Sequence, residues 1–306
     1  MRYLILSLFL TLLLLTSCSK VQEKEQAFPS ELVDFEPVKD MNPVFYGTGD
    51  SLTWDEQIRE RGYIIRENNT WYLWYTGYTK KTGKTMKYLG LATSSDGYAW
   101  HRDDRNPLKT DLWIEDLQVL KEDSSYYMFA ESKDDLAHIL ISTDKIHWED
   151  LGEIAIQKKN GEPIEKGPYG TPTVWKENGT WYLFYERNDA AIWLATSTDL
   201  KLFTNVQDDP VITCGPEGYD KYAVAMNQIV KHDNKYYAYY HASAYEDWRT
   251  WTNNIAVSED LIHWQKYSKN PITTDGSSSG IMVNDGTQNR FYSMHPQVSV
   301  YLPTKR

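Results

Sequence analysis

The sequence predicts an all-β protein arranged as a five-bladed β-propeller, and three observations predict it. The first is a repeated phrase. Ser94-x-Asp96-x-x-x-Trp100, Ser142-x-Asp144-x-x-x-Trp148, Ser197-x-Asp199-x-x-x-Phe203 and Ser258-x-Asp260-x-x-x-Trp264 recur every 48 to 61 residues. A period of that length marks one supersecondary unit repeated around an axis. The second is an aromatic strand ahead of each copy: Trp71–Tyr75, Tyr126–Phe129, Trp181–Tyr185 and Tyr236–Tyr240, with a fifth at Phe291–His295 that carries no closing phrase. The third is punctuation. Gly, Pro, Asn and Asp interrupt the chain every eight to twelve residues, as in all-β proteins, and no stretch is patterned as a long helix.

The elements follow in order within each unit. The aromatic run is the second strand of a blade. The innermost strand precedes it, anchored by Ile64, Val119, Val174, Ile229 and, by analogy, Val283. Between the two lie hairpin turns, Glu67–Thr70, Glu122–Ser125, Glu177–Thr180 and His232–Lys235, rich in Asn, Asp and Gly. Third strands follow at 89–93, 139–141, 192–196 and 255–257. The fifth blade runs short at about Tyr301, and Asn42–Tyr46 is the segment expected to complete it and close the ring.

Composition limits the function classes. A net charge of −11 argues against nucleic acid as a partner. Twelve Trp and 23 Tyr supply the packing that a disulfide-free domain needs, because Cys214 has no partner once Cys18 is assigned elsewhere. At the N-terminus, Arg2, the apolar run Leu4–Leu15 and Leu15-Thr16-Ser17-Cys18 read as an export signal, too short to span a bilayer. The last four residues resemble a bacterial lipobox, which makes Cys18 the expected lipidation site. The expected division is a signal peptide over residues 1–18, a polar tether over 19–40 and the propeller over 41–306. The expected location is the cell envelope, at the outer membrane or facing the periplasm, with membrane contact through the lipid alone.

Antiparallel pairing brings the start of each innermost strand and the end of each second strand to one mouth. The first ring there reads Glu60/Arg61, Glu115/Asp116, Gly170/Thr171, Ala225/Met226 and Ser279/Gly280; the second reads Thr76, Glu131, Glu186, His241 and His295. Carboxylates and imidazoles converge on one funnel.

These phrases, above all Gly170–Val174 followed by Asn178–Glu186 and Leu194–Leu200, resemble the superfamily of five-bladed propeller glycosidases that includes glycoside hydrolase families 43, 32, 62, 68, 117 and 130. The resemblance spans nearly all of residues 41–306. It implies carbohydrate chemistry carried by carboxylates at the starts of the innermost strands of blades one to three. Blade two fits, with Asp116-Leu117-Gln118-Val119 in the place of Asp-Pro-x-Val. Blade one departs, with Arg61 in the Asp slot, and blade three holds no carboxylate at Gly170-Thr171-Pro172.

Glycoside hydrolysis needs a carboxylic acid at the leaving oxygen and a second group that activates water or attacks the anomeric carbon. The candidates are Asp116 with one of Asp55, Glu131 or Glu186. Asp116 could instead pair with Arg61. Substrate-binding candidates are Glu60, Arg61, Trp113, Glu115, Thr171, His241, Trp248 and His295, with Trp54, Tyr169, Tyr219, Tyr222, Tyr245 and Trp251 as further mouth aromatics. Trp100, Trp148 and Trp264 belong to the repeat and are expected to pack. No cofactor is expected; Glu131, His241 and His295 offer donor atoms for a divalent cation but match no recognised ligand spacing. Lys80, Lys81, Lys84 and Lys87 form a basic run that could meet an anionic glycan or simply be solvated. The expected activity is exo-acting hydrolysis of an oligosaccharide. Phosphorolysis at Arg59, Arg61, His241 and His295, and glycan binding without catalysis, are the alternatives.

Overall fold

The computed structural model describes residues 28–80 and 86–304, so the expected signal peptide, Cys18, Lys81 and Lys84 lie outside the described residues. Five sheets, antiparallel apart from one parallel pair in blade three, form the five blades, each with strand A innermost. Strands A and B are Gln57–Glu67 and Thr70–Tyr78 in blade one, and Glu115–Glu122 and Ser125–Glu131 in blade two. They are Gly170–Glu177 and Thr180–Glu186 in blade three, Ala223–His232 and Lys235–Ser243 in blade four, and Ser278–Asn284 and Asn289–His295 in blade five. Blade three is widened by Ile156–Gln157 and Ile212–Thr213.

Local chemistry makes these elements. In three A–B hairpins both central residues have positive φ: Asn68 and Asn69, Asn178 and Gly179, Asp233 and Asn234. Those residue types tolerate the left-handed region that a two-residue hairpin turn requires. The repeated Ser-x-Asp phrase is also a turn. In blade one the Ser94 hydroxyl accepts the backbone N–H groups of Asp96 and Gly97, and the Asp96 carboxylate accepts those of Tyr98 and Ala99. The fourth residue of every copy, Gly97, Lys145, Leu200 and Leu261, is left-handed, with φ between 65° and 77°. The side chains take over backbone bonds that strand pairing would otherwise make, and the chain reverses into the outermost strand of the blade, His101–Arg102 in blade one.

The aromatic B strands are the packing layer between blades. Trp74, Phe129, Phe184, Tyr240 and Phe291 are fully buried. Trp148 meets Trp74 edge-on at 6.1 Å and Trp264 meets Phe184 at 6.1 Å, so the motif tryptophans of blades two and four pack on the preceding blade. Trp100 packs in the core cluster shared by blades one, two and five. Away from the mouth, Glu67, Glu122 and Glu177 each pair with a lysine of the next blade, Lys121, Lys176 and Lys231. These partly exposed, solvent-screened pairs contribute little to stability.

The closure differs from expectation. Blade five is completed by Phe35–Pro37, antiparallel to Ser299–Pro303, and not by residues 42–46. Phe45 makes only an isolated bridge to Val298, while the Asn42 side chain bonds both the N–H and the C=O of Val300. The expected tether is therefore packed from residue 28 onward. Leu32 and Val33 are buried, Phe35 stacks on Phe291 at 5.2 Å, and Tyr239 donates its hydroxyl to the Leu32 carbonyl at 2.8 Å. Phe28, Leu32, Val33 and Phe35 are too dispersed among charges to read as core in sequence, yet together they join the core cluster shared by blades four and five.

Burying several such side chains stabilises a domain by about 1.5–3 kcal/mol each. Deleting residues 28–37 is therefore expected to lower the calorimetric Tm by about 5–10 °C; an unchanged Tm would show that blade five closes without them.

Candidate active site

In blades one to four, strand A is irregular where it reaches the mouth. Pairing with strand B shifts between Arg59 and Tyr63, Glu115 and Gln118, Gly170 and Thr173, and Met226 and Gln228. Glu60, Asp116 and Thr171 sit at the first three of these points with φ of 61°, 43° and 44°, and Ser279, in the regularly paired strand A of blade five, has φ 57°. A bulge of this kind re-aims one side chain out of the alternating pattern. All four line one cleft of about 330 Å³, with Glu131, Asp135, Glu186, Asn188, Asp189, His241, His295, Trp248 and Trp251 among the other lining residues.

The blade-one register is corrected here. Three residues, Glu60 to Gly62, lie unpaired between Arg59 and Tyr63, whereas blade two has only Asp116 and Leu117. The additional residue moves Glu60, not Arg61, into the position equivalent to Asp116. Arg61 turns beneath the cleft instead and is fully buried on the propeller axis. Its guanidinium donates to the carbonyls of Asp116, Leu117, Pro172, Met226 and Asn227 and to the Thr173 hydroxyl. Burial lowers its pKa to about 10, and nearby Asp116 opposes that shift. Arg61 is thus a floor that ties blades two, three and four, rather than a sugar contact.

The acidic wall comes from blades two and three. Glu131 accepts the Thr171 N–H at 2.9 Å, and Glu186 accepts the Gly170 N–H at 3.1 Å and that of Asp189. The two carboxylates converge on Gly170, where a Cβ would overlap an oxygen of each. Glycine is needed there for the approach, not for its backbone angle. Burial, and then the charges of Asp116 and Glu186, hold Glu131 well above the usual carboxylate range. Burial pushes Glu186 up to about 7 against the two N–H donors, and Asp189 is raised by burial and by Glu186. Carboxylates this crowded cannot all ionise, and a proton stays among them near neutral pH.

The opposite wall is basic but self-neutralised. Lys87 pairs with Glu115, Arg59 pairs with Glu60, and Trp113 donates its indole N–H to Glu115 at 2.6 Å. Burial, then Arg59, lowers Lys87 to about 8. Beside it stand two imidazoles. Burial lowers both His241 and His295 to about 4, so both are neutral at pH 7.

Of the sequence candidates, the structure brings Asp116, Glu131, Glu186, Glu60, Glu115, Thr171, His241, Trp248, Trp251, His295, Arg59 and Lys87 to the cleft, and leaves Asp55, Arg61, Trp54, Trp113, Tyr169, Tyr219, Tyr222 and Tyr245 out of its lining. Asp55 is buried behind blade one, where it accepts from Tyr75 at 3.0 Å and from Arg102 at 2.6 Å. Trp54 stacks on Tyr75, Tyr169 donates to Glu153 and to the Ile154 carbonyl, and Tyr219 hydrogen-bonds Tyr240. Trp113 serves Glu115 rather than the cavity. Among the described residues, no three His, Cys, Asp or Glu side chains are arranged to hold a metal ion.

Asp135 and Asp189 are cleft residues that the sequence did not single out. Both have positive φ in the short turns after strand B, at 55° and 53°. In sequence, Asp134-Asp135 and Asn188-Asp189 read as ordinary turn chemistry; the signal was their position immediately beyond Glu131 and Glu186.

No protein-family model matches the chain. Among solved structures it is similar to a candidate glycosidase from Bacteroides thetaiotaomicron, at 18% identity and TM-score 0.74 over 91% of this chain and 99% of that one. It is also similar to a glycosyl hydrolase from Bacteroides ovatus, at 16% identity and TM-score 0.68 over 91% and 96%. A third similar structure comes from work on GH130, a family of mannoside phosphorylases that contains glycoside hydrolases targeting β-1,2 mannosidic linkages in Candida mannan. That match is 16% identical, with TM-score 0.66 over 92% and 98%. The chain therefore has the five-bladed propeller fold of structures named as glycosidases, and the likeness extends along nearly its whole length.

The raised Glu186 makes a prediction about stability. The ordinary value is 4.5 and the folded value about 7. Between them the folded chain holds a proton that the unfolded chain has released, so stability falls as pH rises through that window. Glu186→Gln is expected to flatten the slope in urea unfolding measured across it. An unaltered slope would place the bound proton elsewhere.

Proposed function

We propose that this chain is a glycoside hydrolase that takes the end of a glycan into the propeller mouth. The observation that carries the reading is the buried, crowded carboxyl pair Glu131 and Glu186, converging on Gly170 in the same cleft as Asp116. Hydrolysis needs an acid that still holds its proton near neutral pH, and crowding with burial keeps one here. Glu186 is assigned as the acid that protonates the leaving oxygen, with Glu131 sharing its proton. Asp116 accepts the Arg61 amide N–H at 3.2 Å and is placed by its bulge at the cleft surface. It is assigned to the second role, either taking a proton from attacking water or attacking the anomeric carbon itself. A cavity of about 330 Å³ with a closed floor suits a chain end, which supports exo action.

Phosphorolysis is less well supported by the electrostatics. Lys87 and Arg59 are each paired with a glutamate, and carboxylates outnumber cations in the lining, so a phosphate dianion would meet a net negative site. The same balance argues against a uronic or sulfated sugar at the cleft. Export as an envelope lipoprotein rests on Leu4–Cys18; Cys18→Ser in cells is expected to abolish lipid labelling, and persistent labelling would remove that proposal.

A product-release screen against neutral oligosaccharides, with and without phosphate, tests the activity. Wild-type protein is expected to release a monosaccharide without phosphate. Glu186→Gln and Asp116→Asn are each expected to lower kcat by about 10²–10⁴-fold, and the wild-type kcat is expected to fall as pH rises past about 7. Phosphate-dependent release would make the protein a phosphorylase. Saturable binding without turnover would make it a glycan-binding protein.

A further inference from the structure

Blade four, next to the acidic pair in chain order, contributes another wall of the cleft, and it contains a histidine whose tautomer the surrounding hydrogen bonds assign. His241 ends strand B of that blade, is 7% exposed and lines the cleft. Its Nδ1 lies 2.7 Å from the side-chain amide of Asn227, which is fully buried. At the other end of that amide, two backbone N–H groups, of His241 and Gly280, approach at 3.3 and 3.1 Å. An amide NH2 has only donors, so those two N–H groups require the carbonyl oxygen of Asn227. The NH2 then faces His241, and the imidazole Nδ1 is left as its acceptor. A neutral imidazole with an unprotonated Nδ1 carries its proton on Nε2.

Nothing among the described residues accepts that proton. His241 bonds through Nδ1, and no hydrogen bond to Nε2 is made. What adjoins the ring is aromatic: Trp251 meets it edge-on at 4.9 Å, and Trp248 adjoins Trp251 at 5.9 Å. Trp248 has a left-handed backbone, φ 51°, is 43% exposed, and still lines the cleft. A bulky residue in that conformation is strained, and strain of this kind persists where it aims a side chain. A single neutral donor beside two indole rings, one of them held out at the rim, is a chemistry that fits a polar face and an apolar face on one small molecule. Pyranoses have both.

We propose that this wall is a sugar subsite in which Asn227 is a positioning residue: it fixes the proton of His241 on Nε2, and His241 donates it as a hydrogen bond to an oxygen of an uncharged sugar whose C–H face rests on Trp248 and Trp251. The inference deepens the glycan reading of the cleft and rests on it for the ligand class, while the proton assignment stands on the hydrogen bonds alone. The neutral state agrees with the burial of His241, which holds its pKa near 4. An imidazolium there would donate from both nitrogens and face the Asn227 NH2 with a like dipole.

The test is nitrogen-resolved NMR of the histidine rings in the 15N-labelled full chain at neutral pH. His241 is expected to show an unprotonated Nδ1 and a protonated Nε2. Asn227→Asp preserves the shape and supplies an acceptor to Nδ1, so it is expected to give a doubly protonated ring. A purely structural asparagine would not change the ring's protonation. A protonated Nδ1 in the wild type overturns the assignment. Methyl glycosides of mannose, glucose, galactose, xylose and arabinose are then added in turn. At least one is expected to shift the Nε2–H and Trp251 indole signals saturably, and Trp251→Ala is expected to weaken that binding about tenfold, equivalent to about 1.4 kcal/mol. No shift with any of the five overturns the subsite. Saturable shifts in a protein that releases no product would sink the hydrolase reading and leave this one standing. Turnover with an unaltered KM in Trp251→Ala would do the reverse.

Discussion

One buried cation organises this propeller. Five sheets converge with their innermost strands around an axis, and near the mouth four of those strands leave regular pairing, so several carbonyls lose their strand partners. Arg61 answers six oxygens from three blades at once. Taking a guanidinium out of water costs several kcal/mol, which only such a complete set of acceptors offsets. The same bonds hold the ends of strands A in blades two, three and four, and therefore the bulges that aim Asp116 and Thr171 into the cleft. The charge lies close enough to Asp116 and Glu131 to be felt by both. Floor and site are one electrostatic unit.

Above that floor the cleft is divided by chain order into three chemistries. Blades two and three contribute crowded carboxyls, blade one a set of ion pairs that largely cancel, and blades four and five neutral imidazoles with indole rings. Burial acts on each in the direction that removes charge: it raises the acids and lowers the histidines and Lys87. The result is a polar cavity with few free charges, in which a proton can be kept on a carboxyl and handed over. That is the setting acid-assisted cleavage of an uncharged substrate needs, and it is made by desolvation rather than by any one partner.

The fold was legible because its signals are local and repeated. Ser-x-Asp phrases, Asn- and Asp-rich hairpins and aromatic strands each have a mechanism that acts within a few residues, and four or five copies reinforce the period. The second-strand ring of Glu131, Glu186, His241 and His295 was legible for the same reason, since simple alternation runs to the end of those strands. The first ring was not. A bulge that is one residue longer in blade one shifts Arg61 off the Asp116 position, and counting back from Ile64 cannot reveal it. Asp55 looked like a loop carboxylate, although Tyr75 and Arg102, both remote in sequence, bury it. The strand Phe35–Pro37 was hidden by its charged neighbours, because only the exposed edge of a sheet made from the other end of the chain gives it a role.

The claim on which the account turns is that a carboxyl of the Glu131–Glu186 pair keeps its proton near neutral pH. Carbon-13 NMR of glutamate side-chain carboxyls, followed through a pH titration in the folded protein and assigned with Glu131→Gln and Glu186→Gln, reads this directly. The account predicts at least one resonance with a midpoint near pH 7 or above, which disappears in one variant and shifts downward in the other. If both carboxyls titrate in the ordinary range near 4.5, the crowding does not hold a proton, and the assignment of an acid in this cleft is wrong.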